Sequence, residues 1–421
     1  MPRPNRLLVA LLAGLVVGIA ISLAGGSAAR VAIAIVEPVG AIWVNAIRMT
    51  VVPLVVSLLI TGVVSTAGAS AVGRVGVRAL VAFIALVALS ALFAVIVVPP
   101  LFAWLSVAPE SAASLRATAS SSAAATAQAV EALPGFAQWV TSLIPTNPVR
   151  AAADGAMLPL VVFTLAFSLA LLRLGAERRD AVVAFFDGVS QAMLVLVRWV
   201  IAVAPIGIFA LIIPPAARLG VMIAGAVGYY ILAMAVAYAG FIALLYPVVM
   251  AAARVSISTF ARAAFPAQTV AFSSSSSLAS LPALITAAED GLGIQPAVSR
   301  FVLPLAVSTF KIATPITWTV GAMFIATLYG IHLHATQVIT IALAGFALGF
   351  SIPGVPNAAF LVIAPLFVNI GLPPEGVALL IAADAIPDLM GTMTNVTGDL
   401  AAAAIVSRTT KNETPKDETV G

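Results

Sequence analysis

Three aspartates, Asp384, Asp388 and Asp399, lie in the last long apolar stretch of the chain, together with Thr392 and Asn395. A helix advances about 100° per residue, which places all five side chains within an arc of about 100° on one face. A carboxylate at the centre of a bilayer costs at least about 2.5–3.5 kcal/mol, so three of them on one face require partners or water. Aspartates at helix ends in the headgroup region would explain one of them singly, but not the whole face. We therefore predict that this polar face binds a small molecule or an ion.

Lys311 is the second residue whose position suggests chemistry. The chain has three lysines; Lys411 and Lys416 lie in the polar C-terminal tail, whereas Lys311 lies in an apolar segment at about 300–329. A lysine ammonium is a compact charge that responds readily to burial. A side chain that snorkels to the membrane interface is the alternative. We predict that Lys311 is buried and functional.

The other reactive residue types indicate neither an enzyme nor a metal centre. The chain has no cysteine, and its two histidines, His332 and His334, lie in a short loop without a third ligand nearby. The sequence contains no phosphate loop and no nucleophile–base pair that would indicate catalysis. We therefore expect no metal site, no cofactor and no enzymatic activity.

Membrane helices must position these residues. Of 421 residues, 62% are apolar and 9% are charged, whereas about 25% are charged in a soluble domain. Mean hydropathy is +1.15, which excludes an ordinary soluble enzyme and a disordered chain. The net charge of +4 is typical of basic loop ends at the cytoplasmic face rather than of nucleic-acid binding. Long apolar runs occur at about residues 7–26, 31–68, 76–106, 156–174, 182–213 and 219–251.

Two of the connecting regions have a specific interpretation. The first apolar run follows two arginines, and we interpret it as an uncleaved span with a cytoplasmic N terminus; a cleavable signal peptide is the alternative. Residues 107–132 are rich in alanine and serine and poor in large apolar residues. We expect this segment to form an aqueous loop.

Residues that interrupt helices break two other apolar regions. Residues 272–282 contain five consecutive serines and a proline, and residues 351–357 read SIPGVPN. Neither can form one straight helix, since proline removes a backbone donor and serine side chains compete for backbone groups. Irregular backbone at membrane depth persists only where it is buried or lines a cavity, so we predict two re-entrant hairpins beside a binding site. Loops outside the membrane are the alternative. Pro387 likewise predicts a kink or an unwound turn beside Asp388.

Several motifs resemble those of one transporter family. The stretch MTNVTGDLAAAAIVSR at 393–408 is close to the family pattern MVNVTGDLxxxAIVAK. The other matching motifs are FSSSSSLASLP at 272–282, the turn Gly354–Val355–Pro356, LIPTNP at 143–148 and the region around VVPLVVSLLITGVV within Met49–Val64. In this order, and over essentially the whole chain, the motifs resemble the dicarboxylate/amino acid:cation symporters, which include the glutamate transporter homologues.

The resemblance implies an all-α membrane protein with eight transmembrane helices and two re-entrant helical hairpins. It also implies a homotrimer in the plasma membrane, or the inner membrane of a Gram-negative bacterium, and a transport domain that moves like an elevator against a scaffold domain. The implied boundaries are 1–72 for scaffold helices 1 and 2, 73–106 for transport-domain helix 3, 107–217 for a loop and scaffold helices 4 and 5, 218–252 for transport-domain helix 6, 253–408 for the transport-domain core and 409–421 for a polar tail. Within the core, the implied segments are hairpin 1 at about 255–292, helix 7 at about 298–329, hairpin 2 at about 335–371 and helix 8 at about 374–408.

The resemblance also implies a substrate site. In the family the two hairpin tips close over the substrate. The aspartate at the position of Asp388 binds the substrate amino group, and the asparagine at Asn395 binds its α-carboxylate. The implied substrate-binding residues are Ser275, Ser276, Ser277, Thr314, Gly354, Val355, Pro356, Asp388, Gly391, Thr392 and Asn395, and the implied ion-coupling residues are Lys311 and Asp399.

Two departures from the family pattern change the expected substrate and coupling ion. Gly391 stands where carriers of acidic amino acids have an arginine; a glycine cannot pair with a second carboxylate, which favours a neutral amino acid. The family motif NMDGT is replaced by FKIAT, so the asparagine and aspartate that help to hold sodium become Phe310 and Ile312. Neither side chain offers an oxygen ligand to a hard cation. Between them, Lys311 supplies a positive charge of its own.

We therefore expect a secondary active transporter of a small neutral amino acid that does not use sodium. Lys311 either acts as a built-in cation that neutralises Asp388 or Asp399 through charge-assisted hydrogen bonds, or it gains and loses a proton and couples transport to protons. A proton is the expected coupling ion. One alternative is a carrier of acidic amino acids or dicarboxylates, in which Lys311 pairs with the carboxylate. Another is an uncoupled anion channel or a sensor. Nucleic acid is not an expected partner.

Overall fold

The computed structural model describes residues 4–65, 69–103, 136–222, 226–349, 358–384 and 386–411. Every regular element within these ranges is helical. Three sequence predictions lie outside them: the aqueous loop at 107–132, the turn that contains Gly354, Val355 and Pro356, and most of the polar tail.

The helices of the described ranges are numbered in chain order. They are α1 (Pro4–Ala24), α2 (Gly26–Ser65), α3 (Ala69–Ala103), α4 (Phe136–Ser142), α5 (Pro148–Ala153), α6 (Met157–Leu171), α7 (Ala176–Ala202), α8 (Ala204–Met222), α9 (Ala226–Ala253), α10 (Ile257–Ser274), α11 (Ser277–Thr286), α12 (Pro296–Thr309), α13 (Thr314–Tyr329), α14 (Ala335–Leu348), α15 (Ala358–Asn369), α16 (Pro374–Ala383) and α17 (Pro387–Lys411). A π-helical turn, Ala287–Gly291, follows α11.

Six helical regions in the described part of the chain are long and apolar enough to cross a membrane. Hydrocarbon offers no water to backbone N–H and C=O groups, and a helix satisfies them internally. The six regions are Val31–Val64, Gly73–Ala103, Ala176–Val200, Val227–Ala253, Pro296–Tyr329 and Pro387–Thr410. The protein is thus an all-helical, multi-pass membrane protein. The full number of eight transmembrane helices and two re-entrant hairpins stays a prediction.

The helices pack in two groups. In the first, α1 packs along α8, and α2 packs against α6, α7 and α8; Trp43 Nε1 on α2 donates to the Val200 carbonyl on α7 at 3.0 Å. In the second, α17 packs against α3, α9, α10 and α12, and α13 packs against α3 and α14. Helix α2 also contacts α11 and α12, and so joins the two groups. The division into a scaffold domain and a transport domain, with its boundaries, stays a prediction.

The serine-rich region forms a helical hairpin, α10 and α11, whose tip is Ser275 and Ser276. Ser275 ends α10 in the left-handed region, with φ 48° and ψ 34°. The Ser276 hydroxyl caps α11 by accepting a hydrogen bond from the Ala279 N–H at 3.2 Å. The interruption predicted within 272–282 is therefore present at these two residues.

A second break, at residues 310–313, separates α12 from α13 within the range predicted as helix 7 at about 298–329. Phe310 has extended backbone, with φ −99° and ψ 110°. Pro315 explains the break, because a proline has no N–H to donate and its ring clashes with the carbonyl four residues earlier, that of Lys311. The break leaves Lys311 outside both helices.

A third break divides the expected helix at 374–408 into α16 and α17. The kink predicted at Pro387 is confirmed as a short non-helical connection, and Pro387 is the first residue of α17, a position that needs no N–H. Asp384 is the residue that ends α16. The prediction that Asp384 shares one helical face with Asp388 and Asp399 is therefore wrong, since Asp384 lies outside α17.

Candidate functional site

One helix, α17, carries the five predicted residues Asp388, Gly391, Thr392, Asn395 and Asp399. Their spacing of three and four residues keeps them on one face over three turns. The two ends of this face differ in burial: Asp388 is solvent-accessible, whereas Asp399 is completely buried. The face therefore runs from an accessible carboxylate into the interior of the protein.

Asn395 joins α17 to the break before α13. Its side-chain Oδ1 accepts a hydrogen bond from the Ala313 N–H at 2.9 Å, which satisfies a backbone donor freed at a helix start. Thr314, the first residue of α13, is buried beside it. An amide has two donors on its nitrogen, so Asn395 retains them for a ligand such as a carboxylate.

Lys311 lies in the same break and is partly buried. Its Nζ donates to the Val307 carbonyl at 3.0 Å. Its charge acts on Asp399 first and on Asp388 second, but within the described residues it forms no ion pair with either. The charge-assisted hydrogen bond expected from Lys311 to one of these carboxylates is thus replaced by a longer-range electrostatic interaction and a backbone contact.

Asp399 is a buried carboxylate without a hydrogen-bond partner. Neither of its side-chain oxygens is hydrogen-bonded within the described part of the chain. The adjacent Gly398 packs closely on the break, since a Cβ added there would lie 2.9 Å from Ile312 Cγ2. A carboxylate buried in this way requires a proton or a positive charge, and Lys311 supplies the positive charge that acts on it.

The two positions that replace oxygen ligands of the family motif, Phe310 and Ile312, offer no side-chain oxygen. The Phe310 ring is fully buried and stacks on Phe83 of α3, with ring centroids 4.8 Å apart. The Ile312 carbonyl accepts a hydrogen bond from the Ser90 hydroxyl of α3 at 2.6 Å. The sequence gives no indication of the role of Ser90, because a single serine in an apolar helix is common and its partner is 222 residues away.

The tip of the hairpin reaches the same face of α17. The Ser275 side chain interacts with the Asp388 carboxylate, and Ser277 is buried at the start of α11. Ser273 and Ser274 instead donate to carbonyls of their own helix, at 2.8 Å and 2.7 Å. Of the consecutive serines, Ser275 is thus the one that meets the acidic face.

Tyr238 of α9 is a site residue that the sequence analysis missed. A Cβ added to Gly391 would lie 3.1 Å from the Tyr238 hydroxyl oxygen. That oxygen is 2.7 Å from Thr317 Oγ1 on α13. The space beside Gly391 is therefore bordered by a hydroxyl group from another helix.

The described residues contain no cluster of three or more histidine, cysteine, aspartate or glutamate side chains that could hold a metal ion. His332 and His334 lie in the connection before α14. The site is thus formed by carboxylates, an amide, hydroxyls and one ammonium, a set that suits a zwitterionic molecule with one positive and one negative group.

Comparison with known proteins gives one family over nearly the whole chain. Residues 5–409 match the model of the sodium:dicarboxylate symporter family. The chain is 30% identical over 379 residues to the proton/sodium-glutamate symport protein of Bacillus subtilis (88% of this chain, 85% of the relative). It is 28% identical over 404 residues to the proton/glutamate-aspartate symporter of Escherichia coli (96% and 92%). It is 29% identical over 432 aligned positions to the human neutral amino acid transporter B(0) (94% and 78%).

Proposed function

Since the chain belongs to the sodium:dicarboxylate symporter family, we propose that it is a secondary active transporter of a small neutral amino acid. Relatives named as glutamate or glutamate-aspartate symporters and as a neutral amino acid transporter support transport of an amino acid. Asp388 would bind the amino group of the substrate, and the free amide nitrogen of Asn395 would bind its α-carboxylate. The hairpin tip at Ser275 to Ser277 and the turn at Gly354 to Pro356 would close over it, with Thr314 and Thr392 beside it.

A neutral side chain is supported by the surroundings of Gly391. Recognition of a second carboxylate uses a bidentate cation such as arginine, and residue 391 has no side chain. The neighbouring group is the Tyr238 hydroxyl, which is uncharged. Lys311 is the remaining candidate partner for a substrate carboxylate. Its charge acts on Asp399 more strongly than on Asp388, which favours an interaction of the ammonium with the buried Asp399 over one with a substrate.

Sodium-independent coupling through Lys311 is the second part of the proposal. The observation that carries it is the position of the Lys311 ammonium in the break between α12 and α13. There it acts on the Asp399 carboxylate, whose oxygens have no hydrogen-bond partner among the described residues. A fixed ammonium at this place supplies the charge of a bound cation. Gain and loss of its proton would couple substrate movement to a proton gradient.

We also propose that the protein is a homotrimer that works by an elevator movement. The grouping of helices supports a division into a scaffold of α1, α2 and α6–α8 and a transport domain of α3 and α9–α17. Helix α7 leaves large apolar side chains uncovered, among them Phe185 and Trp199, as expected of a helix that faces lipid or another protomer.

Uptake of a radiolabelled neutral amino acid into proteoliposomes tests the transport proposal, with sodium and proton gradients imposed separately. We expect uptake driven by a proton gradient in sodium-free buffer, and we expect Lys311→Met to abolish the dependence on that gradient. Lys416→Met, which removes a lysine from the polar tail, is the matched control and should behave as the wild-type protein does.

The alternatives give different results in the same assay. Strict dependence on sodium, or unchanged proton dependence in Lys311→Met, would disprove the proposed coupling. Stronger competition by aspartate or succinate than by alanine would indicate a carrier of acidic substrates. Current without saturable uptake would indicate a channel, and binding without flux would indicate a sensor.

A further inference from the structure

Tyr238 lies against the middle of the polar face of α17. Its side chain is 2% exposed, and its hydroxyl oxygen occupies the space beside Gly391. Gly391 is three residues after Asp388 and four before Asn395, so it lies one helical turn from each. A ligand that reaches from the Asp388 carboxylate to the Asn395 amide must therefore pass the Tyr238 oxygen.

Hydrogen bonding fixes the orientation of the Tyr238 hydroxyl. Thr317 Oγ1 donates its one proton to the Ala313 carbonyl at 2.9 Å. With its proton on this carbonyl, Thr317 Oγ1 accepts in its 2.7 Å contact with Tyr238. A hydroxyl has a single donor and also accepts, so the Tyr238 proton is used on Thr317 and the acceptor side of the oxygen is left for a ligand.

An acceptor at this position discriminates between ligands. A carboxylate side chain would meet the lone pairs of the Tyr238 oxygen. Asp384 and Asp388, which both act electrostatically on Tyr238, would add like charges. A hydroxyl group would donate to the oxygen. We propose that Tyr238, oriented by Thr317, selects a small amino acid whose side chain donates a hydrogen bond, of which serine is the simplest, and excludes acidic amino acids. This inference rests on the proposed function, because it names the substrate class of the same site.

Paired measurements with L-serine and L-alanine test the inference, since the two differ by one hydroxyl group. The wild-type protein in proteoliposomes should prefer serine. Tyr238→Phe removes the oxygen and keeps the ring, and should weaken serine relative to alanine by about fivefold to tenfold, the value of one hydrogen bond. Tyr230→Phe, the same change two turns earlier on α9, is the matched control and should leave the ratio unchanged.

Variants of Thr317 separate the orientation of the hydroxyl from its presence. Thr317→Val removes the acceptor, so the Tyr238 proton becomes free to turn toward the ligand. We expect a lower serine-to-alanine ratio and stronger inhibition by L-aspartate. Thr317→Ser keeps the hydroxyl and should restore the wild-type ratio, which a loss of packing alone would not explain.

The outcomes distinguish this inference from the proposed function. Transport of neither serine nor alanine by the wild-type protein would contradict the proposed function itself. Transport of alanine with no preference for serine, or an unchanged ratio in Tyr238→Phe, would overturn the role of Tyr238 and leave neutral amino acid transport standing. If Tyr238→Phe does not fold, the comparison of Thr317→Val with Thr317→Ser decides the question.

Discussion

Two opposite charges within the protein depend on each other at the break before α13. Asp399 is fully buried and its oxygens have no hydrogen-bond partner among the described residues, while Lys311 donates to the Val307 carbonyl alone. Removing one member of a buried charge pair leaves the other uncompensated, which costs more than removing both.

We therefore expect Lys311→Met and Asp399→Asn each to lower the free energy of unfolding by less than the ~3–5 kcal/mol of a direct buried ion pair, and the double variant by less than the two single losses combined. Apparent melting temperatures of the four purified proteins in detergent would measure the effect. Lys416→Met serves as the control for loss of a lysine. Losses that add in the double variant would show that the two charges do not compensate each other.

Asn395 has a structural and a proposed ligand-binding role that one substitution separates. Asn395→Asp retains an oxygen acceptor for the Ala313 N–H, but replaces the amide donors with negative charge. We expect an unchanged melting temperature and substrate binding weaker by about tenfold to a hundredfold, the value of a hydrogen bond to a charged group. Isothermal titration would measure the change in substrate affinity. Asn395→Ala loses both roles, so it should lower the melting temperature as well as weaken substrate binding. Substrate binding by Asn395→Asp as strong as that of the wild-type protein would contradict the ligand-binding role.

At the scale of elements, the tip of the hairpin combines backbone strain with a contact to the acidic face. Ser275 is one of two described non-glycine residues with positive φ; the other is Arg254. The left-handed conformation costs about 1–2 kcal/mol for a residue with a Cβ. The interaction of the Ser275 side chain with Asp388 provides a reason to keep a serine there.

Ser275→Ala and Ser275→Gly should both weaken substrate binding, because both lose the contact with Asp388. Only the glycine variant relieves the backbone, so it should be more stable than the alanine variant by about 1 kcal/mol. Thermal melting in detergent checks the order of the two. Arg254→Gly relieves a similar φ far from the site, so this variant should be more stable than the wild-type protein and should bind substrate equally well. Weaker substrate binding by Arg254→Gly would contradict a specific role of Ser275 in binding.

The sequence predicted two of the three helix breaks, because prolines and serines act locally. The serine run marked the hairpin tip, and Pro387 marked the start of α17. Pro315 carries the same information for the break at 310–313, but a single proline in a long, mostly apolar segment is also compatible with a kinked helix. Ser90 and Tyr238 could not be predicted, since each is an ordinary polar residue in an apolar helix. Their roles come from contacts with residues 222 and 79 positions away.

On the scale of the whole molecule, one cluster of charges spans the two groups of helices. Arg300 of α12 lies 3.3 Å, through Nε, from Glu289 Oε1, and 3.8 Å, through Nη1, from Asp187 Oδ1 on α7. Ser299 also donates to Glu289 at 2.7 Å. Helix α7 belongs to the proposed scaffold and α12 to the proposed transport domain, so an elevator movement must break the contact between Asp187 and Arg300.

Asp187→Asn should therefore speed transport. Asp187 is half exposed, and pairs of this kind contribute up to about 1 kcal/mol, so we expect a maximal uptake rate higher by up to about fivefold, with an unchanged KM. Uptake kinetics in proteoliposomes would measure this change. Asp180→Asn, which removes the exposed partner of Arg179 on the same helix, is the control. A changed KM, or equal effects of both variants, would contradict a bridge that holds the two groups together.

The Lys311 ammonium is covalently part of the chain, and this has an electrical consequence. A bound metal ion leaves the carrier after each passage, so the loaded and empty carriers differ in charge. The Lys311 ammonium stays, and a zwitterionic substrate adds no net charge. Membrane voltage does work of about 2.3 kcal/mol per charge per 100 mV. Under the proposed coupling, that work would be the same for the loaded and the empty protein while Lys311 keeps its proton, and voltage would drive the cycle only through the steps in which a proton is taken up or released.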